Sequence, residues 1–197
     1  MQAIVADAHR LGRKVAAHAI GAQGILWATE AGVDSIEHGS YINDECIAAM
    51  KKRGTYLVPT AYVIDWVKQH GHLPPLYEQK MQVVSAVEKD NARHAIEAGV
   101  KVALGTDASV YPHGLNAHEI DVYVNQFGMT PLQGIQTGTV NAADLMGWSD
   151  KVGSIAVGKW ADIIAVDGDP LKDVRILQHV SFVMKGGVVY KREIVQP

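Results

Sequence analysis

The chain has 197 residues, 48% of them apolar and 20% charged, with 19 glycines and 7 prolines. These proportions belong to an ordinary globular protein and exclude disordered or fibrous classes. Eighteen basic residues against 21 acidic ones leave a formal net charge of −3, so the basic footprint of a nucleic-acid or anionic-membrane partner is missing.

Apolar positions Met1, Ile4, Val5, Ala8 and Leu11 recur at helical spacing, and Gly12 is placed as their stop. A short apolar strand over 14–17 then ends at His18. The stretch 24–30 predicts a helix stopped by Ala31-Gly32. A strand over 34–37 ends at His38. Asn43 caps a third helix that Gly54 ends. A strand over 56–58 is cut off by Pro59. Residues 61–75 read as a loop holding Trp66, His70, His72 and the Pro74-Pro75 pair, long enough for a lid. A long helix follows to Ala98, and a fourth strand over 100–104 ends in Gly105-Thr106-Asp107. Beyond it come helices over 116–126, 130–138 and 139–146. Glycine-spaced β-type runs at 161–166, 180–184 and 188–190 close the chain.

Short buried strands alternating with helices predict a parallel α/β architecture. The composition shifts near 148–152, which predicts one unit over 1–150 and a tail over 151–197 too small to be a sheet domain of its own. The single cysteine, Cys46, excludes an internal disulfide framework and sits inside a helix without a paired-histidine pattern. No run approaches the ~20 apolar residues of a membrane span. No signal peptide is visible after Met1, which leaves the cytoplasm as the default compartment.

His18, His38 and Asp107 stand out because each closes a predicted parallel strand, the end at which (β/α) barrels build their sites. They lie 20 and 69 residues apart, spacing for ligands on separate strands rather than on one helix. Two imidazoles and a carboxylate suit Zn²⁺ or a similar divalent ion. The same residues also read as two hydrogen-bonded strand-end histidines and a turn aspartate. His113, in the loop after Asp107 with Asn116 and Glu119 nearby, is a candidate substrate contact. Pro59, Thr60 and Tyr62, just after the 56–58 strand, are candidates to line a pocket. His9, His94 and His179 read as surface histidines, Glu37 as structural, and Asp162 as fixing a turn. A phosphate-binding barrel is disfavoured, because no glycine-rich cradle follows the later strands.

The phrases VAAHA around His18, SIEHG around His38 and GTDAS around Asp107 resemble the amidohydrolase superfamily. So do GSIAVGKWADIIAVDGDP at 153–170 and VMKGGVVY at 183–190. The branch they look like holds imidazolonepropionase-like and Xaa-Pro dipeptidase (prolidase)-like enzymes, and the likeness runs from Met1 to about Arg192. It implies the C-terminal half of a TIM-type (β/α)8 barrel, strands five to eight, followed by C-terminal strands of a small β-sandwich domain. It implies His18 and His38, at strands five and six, as ligands of the more exposed metal. Asp107, at strand eight, would bind the more buried metal and shuttle the proton of the attacking water. One or two divalent ions, Zn²⁺ foremost, would serve a hydrolase of C–N bonds in a small amide or dipeptide, with the complete enzyme a homo-oligomer.

The family's His-x-His of strand one and lysine of strand four have no counterpart before His18. The one such spacing, His70-Gly-His72, falls after the seventh strand, and Lys14 begins its strand rather than ending it. Strands one to four are therefore expected to be absent, with Met1 an internal methionine. The alternative expectation is a catalytically incomplete half-barrel that must pair with a complementing half or with itself.

Overall fold

A computed structural model describes residues 1–71 and 73–193. His72, one half of the His-x-His spacing, lies outside the described residues. Three strands form a parallel sheet in the order β1 (Ala16–Ala19), β2 (Ser35–His38) and β3 (Tyr56–Val58). Helices α1 (Gln2–Arg10), α2 (Ala22–Ala31) and α3 (Asp44–Arg53) precede or connect them. Local chemistry sets their ends. Asn43 accepts the Cys46 N–H at 3.0 Å to cap α3, an interaction worth about 1 kcal/mol. Gly32 and Gly54 close α2 and α3 in the left-handed conformation that spares glycine a Cβ clash.

The core lies between this sheet and its helices. Ile36 of β2, Leu57 of β3, Ile25 of α2 and Met50 of α3 are almost wholly buried. Each such side chain contributes roughly 1.5–3 kcal/mol by leaving water. β1 is an edge strand among the described residues. Trp27, Ile155 and Val157 are exposed, Val157 completely.

Two sequence expectations need correction. The segment expected as a loop holds helix α4 (Tyr62–His70), followed after Pro74 by α5 (Pro75–Glu97). Tyr62, Trp66 and His70 recur every fourth residue, so their rings share one helix face; Trp66 and His70 stack at 3.8 Å. The aromatic and proline content masked that period. The expected fourth strand is a single parallel bridge, Leu57 to Val102. Leu57 receives the Val102 segment through Lys101 and Ala103, but the Leu104 N–H turns away to the Thr137 carbonyl at 2.9 Å.

Helices α6 (His118–Asn125), α7 (Pro131–Thr137) and α8 (Val140–Met146) follow, α7 opened by a capping box between Thr130 and Gln133. The tail forms an antiparallel sheet of β4 (Ile163–Val166), β5 (Val180–Lys185) and β6 (Val188–Arg192), with a 3-10 turn at Val174–Gln178. Asp162 accepts the Gly186 N–H at 2.7 Å and anchors the β5–β6 turn. No helix among the described residues is long and apolar enough to cross a membrane.

Candidate metal centre

Strand register alone would keep the two histidines apart. His18 stands opposite Glu37, and His38 opposite Ala19. Alternate residues of a strand face opposite sides, so a fully extended His38 would point away from His18. Its φ is +70°. That rotation swings the imidazole back, and the two rings meet edge to face with centroids 4.5 Å apart. Gly39 makes the turn possible, because a Cβ there would run into Leu57.

The tautomer of His38 follows from its neighbours. Thr60 donates its one hydroxyl hydrogen to the Pro59 carbonyl at 2.7 Å. The same hydroxyl oxygen lies 2.6 Å from His38 Nδ1, so it accepts from Nδ1–H. The Nε2 lone pair of the neutral ring is left free. Burial, then the His18 charge, hold the His38 pKa below the ordinary imidazole range, against the opposing pull of Asp107. A neutral imidazole with its second nitrogen fixed by a hydrogen bond is the form that ligates a metal.

Thr60 is itself strained, at φ +53°, where a β-branched residue is an outlier. Such backbone costs about 1–3 kcal/mol and persists only where its surroundings hold it. The holder is Glu119 of α6. Its wholly buried carboxyl accepts the Ala61 N–H at 2.6 Å and the Tyr62 N–H at 2.9 Å. Burial outweighs those two donors and pushes its pKa up to about 7. Sequence reading placed Glu119 only as a neighbour of His113. Its partners lie 58 and 57 residues away, beyond the reach of any local pattern.

Asp107 follows the bridge segment with φ +50° and is exposed. Gly105 brings that segment close to β3, since a Cβ there would strike Val58. His38, Thr60 and Asp107 are thus three of the four non-glycine residues with positive φ among the described residues, the fourth being Ser109. Strain gathers at the strand ends, as it does at functional sites. No three His, Cys, Asp or Glu side chains among the described residues gather closely enough to hold an ion on their own. His18 and His38 come together as a pair, and Asp107 acts on His38 through its charge.

The other candidates fall around this pair. Pro59 and Thr60 are buried under it. Tyr62 stacks on His118 at 4.6 Å and meets the buried Tyr111 edge-on at 5.0 Å. His113 is exposed, in a loop that Asn116 fixes by accepting from Gly114 N and donating to Thr106 Oγ1. Glu37 accepts the Ser35 hydroxyl at 2.5 Å, and burial raises its pKa beside His18. His9 pairs with Asp34 and His94 with Asp44, both at 2.7 Å, away from the strand ends. Cys46 is buried with its thiol pKa raised, the opposite of an activated nucleophile.

Polar side chains gathered at the carboxyl ends of parallel strands, with helices packed around them, define an α/β protein of the kind that carries its chemistry on that face. The chain belongs to the amidohydrolase family: the profile described as "Amidohydrolase family" matches residues 1–191. It is 36% identical over 203 residues to an ochratoxinase of Aspergillus niger, covering 100% of this chain and 42% of that protein. It is 31% identical over 201 residues to an imidazolonepropionase of Fusobacterium nucleatum, covering 96% and 44%. The solved structure of a Xaa-Pro dipeptidase with bound methionine superposes with a TM-score of 0.90 at 42% identity, covering 96% of this chain and 48% of that one. Such family members are hydrolases acting on C–N bonds. The chain spans about half the length of these relatives.

Proposed function

We propose that residues 1–150 form strands five to eight of a TIM-type barrel, with 151–197 supplying C-terminal strands of a small β-sandwich domain. The complete protein is then a metal-dependent hydrolase of C–N bonds in a small amide or dipeptide. The half-length coverage of the relatives supports the first part. The observation that carries the second is the free Nε2 of His38, held beside His18 by the Thr60 hydroxyl.

This donor pair fits a divalent ion of the zinc type, as part of a ligand set. His18 and His38 would hold it, and Asp107 would ligate a second, more buried ion. When bound, the ion supplies Lewis acidity, polarising the scissile carbonyl and acidifying the attacking water. Asp107 accepts the water's proton on a carboxylate oxygen and passes it to the leaving amine. Thr60 keeps the proton of His38 on Nδ1. Pro59, Tyr62 and His113 border the space where substrate would lie.

The test is reconstitution with the N-terminal half of the Xaa-Pro dipeptidase, with Zn²⁺ supplied, assayed on Xaa-Pro dipeptides and N-acyl amino acids. Hydrolysis that disappears with His18→Ala and with His38→Ala is expected. Turnover that survives both substitutions overturns the reading. A second reading, a chain inactive alone that pairs with a complementing half or with itself, is favoured by the open β1 edge and the exposure of His18.

A further inference from the structure

Beside His38 lies a cavity of about 200 Å³ between the strand ends and helices α4 and α5. Its walls are Ile20, Val63, Ile64, Met81 and Val84, with the buried Ser40 the one further polar residue. His38 and Thr60 form one end, and Glu88 of α5 lies on the wall. Glu88 is only 4% exposed. With Ala92 and Ala95 it makes up the buried seam of α5, where an apolar residue fits best. Among the described residues no donor satisfies it. The adjacent Lys89 is engaged by Asp65 at 3.3 Å. Glu119 repels its charge, and burial with that repulsion raises its pKa to about 8. A buried carboxyl that lines a cavity and receives no hydrogen bond from the described residues takes its partner from what enters that cavity, water or a ligand.

We propose that this cavity is a substrate subsite for an apolar substituent ending in a nitrogen hydrogen-bond donor, an amine or ammonium group, with Glu88 as the acceptor. The assignment as a substrate subsite rests on the hydrolase reading of the neighbouring histidines. A reacting carbonyl beside His38 places the adjoining substituent in this cavity. The walls take its hydrocarbon stem. The Glu88 carboxyl, ionised as the ligand arrives, takes its N–H, and the proton leaves to solvent.

The probes are n-butylammonium and n-butanol, titrated against the 197-residue chain by ligand-observed saturation-transfer NMR. This method tolerates self-association. Wild type should bind n-butylammonium about ten- to a hundredfold more tightly, the range of one charge-assisted hydrogen bond. Glu88→Gln and Glu88→Leu should each bring the two probes within about twofold of one another, with n-butanol affinity retained. Equal affinities in wild type, no binding of either probe, or a preference that survives both substitutions overturns the proposal. Zn²⁺ titration of the same samples, with the reconstitution assay, separates the two readings. Zn²⁺ at His18 and His38 without an amine preference sinks the subsite alone. An amine preference in a chain whose reconstituted enzyme hydrolyses nothing leaves a nitrogen-selective pocket and sinks the hydrolase reading.

Discussion

Removing the Glu119 carboxyl should destabilise the chain far more at pH 5.5 than at pH 8.5. Glu119→Ala orphans the buried Ala61 and Tyr62 N–H groups, at about 1–3 kcal/mol each. It also frees Thr60 from its strained backbone. Wild type carries an opposing term of its own. The Glu119 pKa rises from 4.5 to about 7 on folding, so the folded state holds the proton more tightly than the unfolded one. Stability from that proton is fully present below pH 4.5 and is lost as pH rises through about 7. At ~1.4 kcal/mol per pKa unit, wild type forfeits about 3 kcal/mol by pH 8.5, a loss the alanine variant escapes. About a third of that loss has already occurred by pH 5.5, where the unfolded carboxyl is ionised, so the measured cost of Glu119→Ala should shrink by about 2 kcal/mol between the two pH values. His38, reached through Thr60, and Glu88, reached through charge, also respond to Glu119, so the comparison is made in a background carrying His38→Gln and Glu88→Gln. Urea unfolding followed by circular dichroism at each pH gives the four free energies. A cost that is equal at both pH values, or larger at pH 8.5, would falsify the claim that this carboxyl is held protonated by burial.

Three further outcomes follow from the same geometry. Thr60→Val keeps the shape but removes the acceptor for His38 Nδ1–H, and should weaken Zn²⁺ binding about 10–100-fold by calorimetry; unchanged affinity would show that the hydroxyl does not orient the ring. Asp107→Asn in the reconstituted enzyme should lower kcat by at least about 10²-fold, because proton transfer alone is worth that much; full activity would remove Asp107 from the mechanism. The isolated chain should sediment as a species larger than a monomer, given the open β1 edge and the exposed Trp27, Ile155 and Val157; a stable monomer would contradict the half-barrel architecture.

Much of this was legible in the sequence, and the parts that were not share a cause. β3 and the α3 caps coincide with the local signals of a short apolar run, Asn43 and Gly54. His18 and His38 were recognisable because each closes such a run. The α4 helix escaped because its start is set by the strained Thr60 and the distant Glu119, neither of which leaves a local mark. The fourth strand failed because its backbone finds Leu57 on one side and then Thr137 instead of a further strand. The inward turn of His38 depends on a positive φ that no residue type announces. Glu88 looked like one more polar residue on a long helix, and only its burial beside His38 singles it out.

The most direct measurement is a Zn²⁺ titration of the chain with ¹⁵N-labelled histidine, read through imidazole nitrogen shifts. Nε2 of His18 and of His38 should move together at the first equivalents, with His38 Nδ1 protonated throughout. Shifts confined to other histidines, or metal entering through His38 Nδ1, would contradict a metal centre at these strand ends.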